Sequence, residues 1–395
     1  MPRLNYIALP MSAALLASCG GSSSPDPAPS SASTPASTPA STPASTPVPT
    51  PAATPAPSAS PANATAFIDY AIAAGARAVV INQDGAITAE RYAGTGAIGR
   101  GEALASGTKS FTCTLAVIAE ATYNFDPLQP LGSVVPPWGP GGTAPQQALK
   151  TQIRAIDLLG LTGGLAFSGA AGADLNTVDS YRQAIFAQSR ATPNTATIYT
   201  PNSQQAFSAV FELISGGQYN ADGSITGGAD GITTLEQFVF TPLGIRATAW
   251  ARDINNKPNF AGGAEMTARD WARYGQLIAG NGVIGGIRLA GLPEAPMRRC
   301  LTYSSGAFQG YGLGWWLNRP VGNSYVESRD SLPLNQALLA RWRAGGKFAP
   351  SAPDDLVMAV GLGGRKLYVV PSRRFSIAVI GYSGDDELLL QRFFG

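Results

Sequence analysis

A run of proline, alanine, serine and threonine from Ser22 to Thr65 determines how much of this chain can fold. It contains 12 prolines, a single charged residue and four tandem Ala-Ser-Thr-Pro units between Ala32 and Pro47. Proline fixes φ and lacks an N–H donor, and the run offers no large apolar side chain to form a core, so extended polyproline-like conformations are expected. We therefore predict that residues 20–65 are a linker and that a single domain occupies residues 66–395.

The residues ahead of this linker have the pattern of an export signal. Arg3 precedes an apolar stretch from Ile7 to Ala17, which is too short to span a bilayer, and Leu16-Ala17-Ser18-Cys19 ends it. The pattern resembles a bacterial lipoprotein signal over residues 1–19, which implies cleavage that leaves Cys19 as the lipidated first residue of the mature chain. An ordinary secretory signal is the alternative. The glycines after Cys19 favour anchoring in the outer membrane, facing the periplasm.

The absence of histidine limits the chemistry available to the domain. None of the 395 residues is histidine, which excludes Ser-His-Asp and Cys-His catalytic groups and metal sites built on imidazole. Acid–base chemistry must therefore use Asp, Glu, Lys, Tyr or Cys. A net charge of +2 with 13% charged residues gives no electrostatic footprint for nucleic acid. We expect no nucleic-acid partner, no metal and no organic cofactor.

Patterns at the two ends of the domain predict one sheet. Alternating or continuous apolar runs separated by turn residues predict a hairpin near each end, and an apolar segment beyond each hairpin predicts a helix. The predicted helices are Phe67 to Ala74 and Asp385 to Phe394, and the predicted strands are Ala78 to Ile81, Ala86 to Tyr92, Lys366 to Val370 and Phe375 to Tyr382. The fold class is therefore α/β (α+β), with an antiparallel sheet formed by both termini, flanking helices and a helical insertion lobe between about residues 124 and 349.

A Ser-x-x-Lys motif at Ser106 and Lys109 is the first candidate for chemistry. If Ser106 opens a helix, Lys109 lies one turn later on the same face, so the two side chains can touch. A lysine desolvated in an apolar pocket has a lowered pKa and can accept the serine proton. The alternative is a helix-capping Ser106 and a solvated Lys109. Of the five lysines, only Lys109 has a serine three positions earlier, and the following helix is apolar enough to be buried.

Several further motifs accompany this pair in a fixed order. They are Ser106-Gly107-Thr108-Lys109-Ser110-Phe111-Thr112, Ile156-Asp157-Leu158-Leu159-Gly160-Leu161-Thr162-Gly163-Gly164-Leu165, Tyr199-Thr200-Pro201-Asn202, Pro242-Leu243-Gly244-Ile245, Gly262-Gly263-Ala264-Glu265-Met266-Thr267-Ala268-Arg269-Asp270, Tyr311-Gly312-Leu313-Gly314-Trp315-Trp316 and Gly361-Leu362-Gly363-Gly364. Taken together, they resemble the serine beta-lactamase and penicillin-binding-protein superfamily, especially its class C-like esterases and nylon-oligomer hydrolases. The resemblance covers most of the domain and implies that superfamily's fold.

The resemblance also implies catalytic roles for three residues. Ser106 would be the acylated nucleophile, Lys109 its activating partner, and Tyr199 the base that also protonates the leaving group. A phenol has an unperturbed pKa of about 10, so we expect the ammonium of Lys109 to stabilise the Tyr199 anion. The alternative for Tyr199 is a buried aromatic that anchors a loop.

A glycine-rich strand end matches the superfamily's third motif but lacks its charged residue. The matching stretch is Ala359-Val360-Gly361, where the superfamily has Lys or His at the first position, and this difference argues against beta-lactams and D-Ala-D-Ala peptides as main substrates. Gly361 and Gly363 would border the substrate, and the N–H groups of Leu362 and Ser106 would form the oxyanion hole. A β-bulge or tight strand entry is the alternative. Arg365 would replace the lost charge or be an exposed strand arginine.

The remaining candidates are interpreted less directly. Asn202 follows Tyr199 by three positions instead of the superfamily's two, and is a candidate substrate contact. Trp315 and Trp316, with Tyr311, would line an apolar acyl pocket, although aromatics beside glycines in a strand are more often core residues. The remaining cysteines, Cys113 and Cys300, are either paired in the exported protein or free and buried.

These observations predict a lipid-anchored serine hydrolase that forms an acyl-enzyme and hydrolyses a small ester or amide. The rival enzyme class is a beta-lactamase or peptidoglycan D,D-peptidase. The rival outside enzymes is a non-catalytic envelope binding module with the same fold.

Overall fold

The computed structural model describes residues 61–167, 175–321, 340–341 and 344–395. The strands are β1 (Ala78–Gln83), β2 (Ala86–Tyr92), β3 (Glu102–Ala103), β4 (Gln218–Tyr219), β5 (Ile225–Thr226), β6 (Ala247–Trp250), β7 (Ala264–Met266), β8 (Val283–Ile284), β9 (Ile287–Arg288), β10 (Trp316–Leu317), β11 (Val357–Gly361), β12 (Arg365–Val370) and β13 (Phe375–Ile380). The α-helices are α1 (Pro61–Ala73), α2 (Ser110–Tyr123), α3 (Gln147–Lys150), α4 (Ala155–Leu159), α5 (Ser180–Ile185), α6 (Pro201–Ile214), α7 (Gly231–Leu235), α8 (Thr241–Leu243), α9 (Ala268–Ala279), α10 (Glu294–Thr302) and α11 (Asp386–Phe394).

A six-stranded antiparallel sheet joins the two ends of the domain, as predicted. Its order is β10-β11-β12-β13-β1-β2, and β1 pairs with β13 from Ala78 opposite Ile380 to Gln83 opposite Phe375. Side chains alternate across a strand, so Ala78 and Val80 join one core cluster while Val79 and Ile81 join another. Because both faces are covered, the run Ala78–Ile81 in β1 and the run Ile377–Ile380 in β13 are apolar without interruption.

The sheet separates two layers of helices. Helices α1 and α11 pack together on one face, where the rings of Phe67 and Phe393 lie 5.6 Å apart edge to face. Helix α9 packs on the other face against β1, β12 and β13. The first helix begins at Pro61, earlier than the predicted start at Phe67 and inside the predicted linker, because proline is well suited to the first position of a helix.

The helical lobe is built on α2, whose residues 110–119 are all buried. Helices α6 and α10 pack against α2, and a disulfide between Cys113 and Cys300 connects α2 to α10 with 5.8 Å between their Cα atoms. The open question about these cysteines is therefore resolved in favour of pairing. A small sheet, β3-β7-β6, lies where the chain enters the serine motif.

Several predictions fall outside the described residues. These concern the signal over residues 1–19, lipidation of Cys19, most of the linker, and the part of the insertion between 322 and 339. None of the described helices has both the length and the apolar character of a transmembrane segment. The same residues contain no cluster of three or more Cys, Asp or Glu side chains placed to hold a metal ion.

Candidate active site

Ser106 lies in a single 3₁₀ turn, Ala105–Lys109, that runs directly into α2. The turn packs closely, because a Cβ atom on Gly107 would lie 2.8 Å from the Trp271 ring. Ser106 is half-buried and caps neither helix, since α2 has Lys109 at its cap position without a side-chain bond. The capping alternative for Ser106 is therefore wrong, and its hydroxyl is available for chemistry.

Lys109 is buried and contacts the serine. Its Nζ donates to Ser106 Oγ at 3.0 Å and to the Ala261 carbonyl oxygen at 2.6 Å, and only 2% of the residue is exposed. The solvated alternative is therefore wrong. Burial lowers the pKa of Lys109 to about 7, and no charged side chain in the described parts of the chain contributes to this shift. Near neutral pH the amine is therefore substantially deprotonated and can accept a proton.

Tyr199 completes a three-residue cluster. Its side chain hydrogen-bonds that of Ser106, and Lys109 Nζ lies 5.2 Å from the centre of its ring. Burial raises the pKa of Tyr199 to about 12, which corrects the expectation that a lysine ammonium holds this phenol as an anion. The desolvation that favours the neutral amine of Lys109 also favours the protonated phenol of Tyr199, since both charged forms are disfavoured. Lys109 is thus the stronger candidate for the base, and Tyr199 for a proton donor.

The Tyr199 ring is fixed by its neighbours on both sides. The Ile198 N–H donates to the Leu161 carbonyl at 2.9 Å, and α6 begins immediately after Tyr199 with Thr200 as its cap. Trp316 stacks on the ring with centroids 5.5 Å apart, while Tyr311 meets it edge-on at 6.4 Å. These contacts leave the phenol little freedom to turn away from Ser106.

The backbone at the end of β11 packs directly against the 3₁₀ turn that carries Ser106, which we call the serine turn. A Cβ atom on Gly361 would lie 2.0 Å from the Leu104 carbonyl oxygen and 3.2 Å from the Gly107 nitrogen. Close packing against the serine turn therefore requires glycine here, whereas we had expected glycine to make room for substrate. Leu362 follows at the start of the turn to β12 and is 86% exposed. Its N–H remains the predicted partner of the Ser106 N–H in the oxyanion hole.

This packing makes Gly361→Ala a sensitive substitution. The added methyl must push β11 away from the serine turn, and a displacement of about 1 Å at a reacting centre can cost about a hundredfold in rate. We expect kcat/KM for an ester to fall at least tenfold, measured on protein with an intact folded circular dichroism spectrum. Gly99→Ala is the matched control, since nothing lies within 4 Å of its Cβ position. Equal activity of the two variants would contradict this account of Gly361.

Arg365 serves the turn itself. Its Nη1 donates to the carbonyl oxygens of Leu362 at 2.9 Å and Gly363 at 3.0 Å. Gly363 has φ +80° and a Cβ there would lie 1.7 Å from Arg365 Nη1, so this glycine accommodates the arginine. One guanidinium nitrogen of Arg365 is therefore used by the turn, and a contact between Arg365 and an anionic substrate remains a prediction. At the motif position itself, Ala359 is buried and pairs with Leu367.

The two tryptophans of this motif face opposite ways. Trp315 is fully buried in the core, the alternative considered for it, and stacks on Tyr274 at 6.4 Å, so it does not line an acyl pocket. Trp316, the first residue of β10, points the other way and lies on Tyr199. Consecutive side chains alternate along an extended segment, so one of the two had to face the core, but the sequence does not indicate which.

Asn202 lies in the first turn of α6, after Pro201 at the first helical position. It is buried, and its Nδ2 donates to the Ala166 carbonyl oxygen at 2.7 Å. This bond connects the start of α6 to the segment that leads into the active-site rim. A contact between Asn202 and substrate remains a prediction.

One part of the site was not predicted. The Ala261 carbonyl, which accepts a hydrogen bond from Lys109, belongs to the loop between β6 and β7. A backbone carbonyl leaves no side-chain signal in a sequence. The adjacent Gly262-Gly263 pair was part of a motif, but it does not show that the carbonyl before it faces Lys109.

Sequence and structure comparisons identify the family and the fold. The family profile named Beta-lactamase matches residues 64–382, so the class defined by fold and site is that of the serine beta-lactamase-like proteins. The chain belongs to the Beta-lactamase family, which confirms the resemblance. A search of curated proteins found no match.

Solved structures with the same fold have low sequence identity. A family VIII carboxylesterase is 14% identical with a TM-score of 0.60, covering 85% of this chain and 97% of its own. A D-stereospecific amidohydrolase from Streptomyces sp. is 16% identical with a TM-score of 0.56, covering 85% and 99%. A protein assigned as a 6-aminohexanoate-dimer hydrolase from Bacillus anthracis is 14% identical with a TM-score of 0.59, covering 82% and 79%. At these identities the likeness shows the fold.

Proposed function

We propose that this protein is a serine hydrolase that forms an acyl-enzyme on Ser106 and hydrolyses a small ester or amide. The observation that carries the proposal is the 3.0 Å contact between Ser106 Oγ and the buried amine of Lys109, with Tyr199 hydrogen-bonded to the same hydroxyl. A serine hydroxyl becomes a useful nucleophile when an adjacent base accepts its proton. The fold neighbours include a carboxylesterase, a hydrolase with promiscuous acyltransferase activity and an amidohydrolase, which supports this class of reaction.

In the proposed acylation, Ser106 Oγ bonds to the substrate carbonyl carbon while its proton passes to Lys109 Nζ. The ammonium formed keeps the Ala261 carbonyl as a partner, so the charge is not left unpaired in the apolar interior. The N–H groups of Ser106 and Leu362 would bind the oxyanion. Tyr199 then donates its phenolic proton to the leaving group as the carbonyl–leaving-group bond breaks, and the Lys109 ammonium returns a proton to the phenol.

In the proposed deacylation, the same groups act on water. Water adds to the acyl carbon and gives a proton to Lys109 Nζ. The bond from Ser106 Oγ to the acyl carbon then breaks. Ser106 recovers its proton and the carboxylic acid leaves. Apart from substrate and water, only side chains of this protein donate or accept protons, so the reaction needs no further reagent.

The pH dependence of the reaction would identify the base. Because burial lowers the pKa of Lys109 to about 7, the reactive amine is present above that pH and is lost as the pH falls. We expect kcat/KM to fall about tenfold per pH unit well below 7 and to level off above it. The measurement is hydrolysis of a p-nitrophenyl ester from pH 5 to 9, with Ser106→Ala as background. A rate that keeps rising to pH 9 would contradict a neutral Lys109 as the base.

The uncharged residue at the Lys or His position of the superfamily favours a substrate that carries no carboxylate. Ala359 offers no charge where the superfamily has Lys or His, and Arg365 binds the turn carbonyls. We therefore expect turnover of short neutral p-nitrophenyl esters and little turnover of a chromogenic cephalosporin. Faster hydrolysis of the cephalosporin would favour the beta-lactamase alternative. No turnover of any ester, amide or beta-lactam by the folded protein would favour the binding module.

The location of the enzyme is a further part of the proposal. Leu16-Ala17-Ser18-Cys19 and the proline-rich linker support a domain anchored to the outer membrane through lipid on Cys19 and facing the periplasm. Expression of the full chain and of its Cys19→Ser variant in a two-membrane bacterium tests this. The proposal fails if both proteins fractionate identically and neither carries lipid by mass.

A further inference from the structure

Gln205 uses both ends of its side-chain amide inside the protein. Its Oε1 accepts the Phe260 N–H at 2.8 Å, and its Nε2 donates to Ser180 Oγ at 2.8 Å, with Pro258 O farther away at 3.4 Å. The residue is buried on α6, in the second turn after Tyr199. A buried amide with both groups paired fixes its neighbours, because breaking either bond leaves an unpaired polar group in the interior.

The loop held by Gln205 is the loop that contacts the catalytic lysine. Phe260 immediately precedes Ala261, whose carbonyl oxygen accepts from Lys109 Nζ at 2.6 Å. Asn259 Oδ1 holds the next peptides by accepting the N–H groups of Ala261 at 3.0 Å and Gly262 at 3.2 Å. The position of the Ala261 carbonyl therefore follows the position of Phe260.

A buried carboxylate fixes the other end of the same loop. Asp253 Oδ1 accepts the N–H groups of Asn255 and Lys257, and Oδ2 accepts both the N–H and the hydroxyl of Ser180. Because Ser180 also accepts from Gln205, the loop, the start of α5 and helix α6 form one hydrogen-bonded unit. Within this unit, Gln205 lies on α6, the helix that follows Tyr199 in the chain.

We infer that Gln205 is a positioning residue for the proposed reaction: it sets the Ala261 carbonyl against Lys109 Nζ and ties that contact to the helix following Tyr199. The inference rests on the proposed function for its catalytic meaning and on the hydrogen bonds for its structural meaning. The carbonyl stabilises the ammonium that forms when Lys109 takes the proton of Ser106. Loss of Gln205 should therefore lower the basicity of Lys109 and disturb the alignment of Lys109 with Tyr199.

The neighbouring residue provides a matched control. Gln204 lies on the same helix and is fully buried, but neither its side-chain nitrogen nor its oxygen has a hydrogen-bond partner among the described residues. Gln204→Met and Gln205→Met make the same chemical change one position apart. Only Gln205→Met removes bonds to the loop that carries Ala261.

The experiment compares wild type, Gln205→Met and Gln204→Met by ester kinetics and by NMR titration of lysine. With 13C-labelled lysine only five side chains report, and a Lys109→Met sample assigns the signal of interest. In Gln205→Met we expect kcat to fall about tenfold or more with a smaller change in KM, and the Lys109 midpoint to move down by about half a pH unit or more. Gln204→Met should match wild type in both measurements.

Three results discriminate between the possibilities. A Lys109 midpoint and a kcat in Gln205→Met that match those of Gln204→Met would overturn the inference. A shifted Lys109 midpoint in a protein that turns over no substrate would retain the structural link and reject the proposed function. If Gln205→Met does not fold, Gln205→Glu replaces it, since it keeps the acceptor for the Phe260 N–H. We expect its Lys109 midpoint to match that of the wild type and its kcat to exceed one-tenth of the wild-type value. A kcat below one-tenth with an unchanged Lys109 midpoint would overturn the inference.

Discussion

Replacing Lys109 by methionine is expected to lower kcat/KM for an ester by about a thousandfold or more. Methionine fills much of the buried volume but cannot accept the proton of Ser106, so the nucleophile keeps its hydroxyl proton. It also leaves the Ala261 carbonyl without the hydrogen bond that Lys109 supplies at 2.6 Å. The measurement is steady-state hydrolysis of a p-nitrophenyl ester at pH 8, where the wild-type amine is mostly deprotonated.

The chain contains a matched control for this substitution. Lys150, at the end of α3, is also fully buried; burial lowers its pKa to about 8, and its Nζ donates to the Ile185 carbonyl at 2.9 Å. Lys150→Met therefore removes a desolvated amine of the same kind at a place that contacts none of Ser106, Lys109 and Tyr199. We expect its activity per folded molecule to stay close to wild type. Equal losses in both variants would mean that the effect of Lys109→Met is structural.

Removing the disulfide is expected to lower the free energy of unfolding by about 2–5 kcal/mol. Cys113 and Cys300 are separated by 187 residues, so the bond closes a long loop and restricts the unfolded chain strongly. The measurement is urea denaturation of Cys113→Ala/Cys300→Ala beside oxidised wild type. Fully reduced wild type is the control and should approach the variant. Coincident unfolding curves of variant and oxidised wild type would contradict the expected contribution.

The same disulfide supports the active site indirectly. The Cys300 carbonyl accepts the Leu313 N–H at 3.3 Å, and a Cβ atom on Gly314 would lie 2.4 Å from the Lys109 carbonyl oxygen. Two residues later, Trp316 stacks on Tyr199. The chain after α10 is therefore packed between the disulfide and two residues of the candidate active site, Lys109 and Tyr199.

The sheet and the serine motif were predictable because their signals are local. The hairpins at the two ends follow from apolar runs and turn residues, and Ser106 and Lys109 meet because residues three apart in a helical turn share a face. The pairing of the first and last strands is a long-range contact. It was predicted because strand signals lie at both ends of the domain, with mostly helical and loop-like sequence between them.

Other features depend on contacts between segments that are far apart in the sequence. The lowered pKa of Lys109 was expected, but the raised pKa of Tyr199 was not, because it depends on how deeply the phenol is buried, which only the assembled core determines. Which of Trp315 and Trp316 faces the core depends on how β10 joins the sheet. The bonds from Arg365 to the turn carbonyls were not predicted, because backbone carbonyls leave no side-chain signal in the sequence.

The central claim is that Ser106 is an activated nucleophile, and covalent labelling tests it most directly. Residues 61–395, the part of the chain that includes every described element, are treated with a fluorophosphonate probe, and the intact mass is read beside a Ser106→Ala control. The full chain purified in detergent serves as a second sample, so that the result does not depend on the truncation. We predict one adduct on each wild-type protein and none on the control. A folded wild-type protein that stays unlabelled while a known serine hydrolase reacts in parallel, or an adduct that persists in Ser106→Ala, would contradict the account.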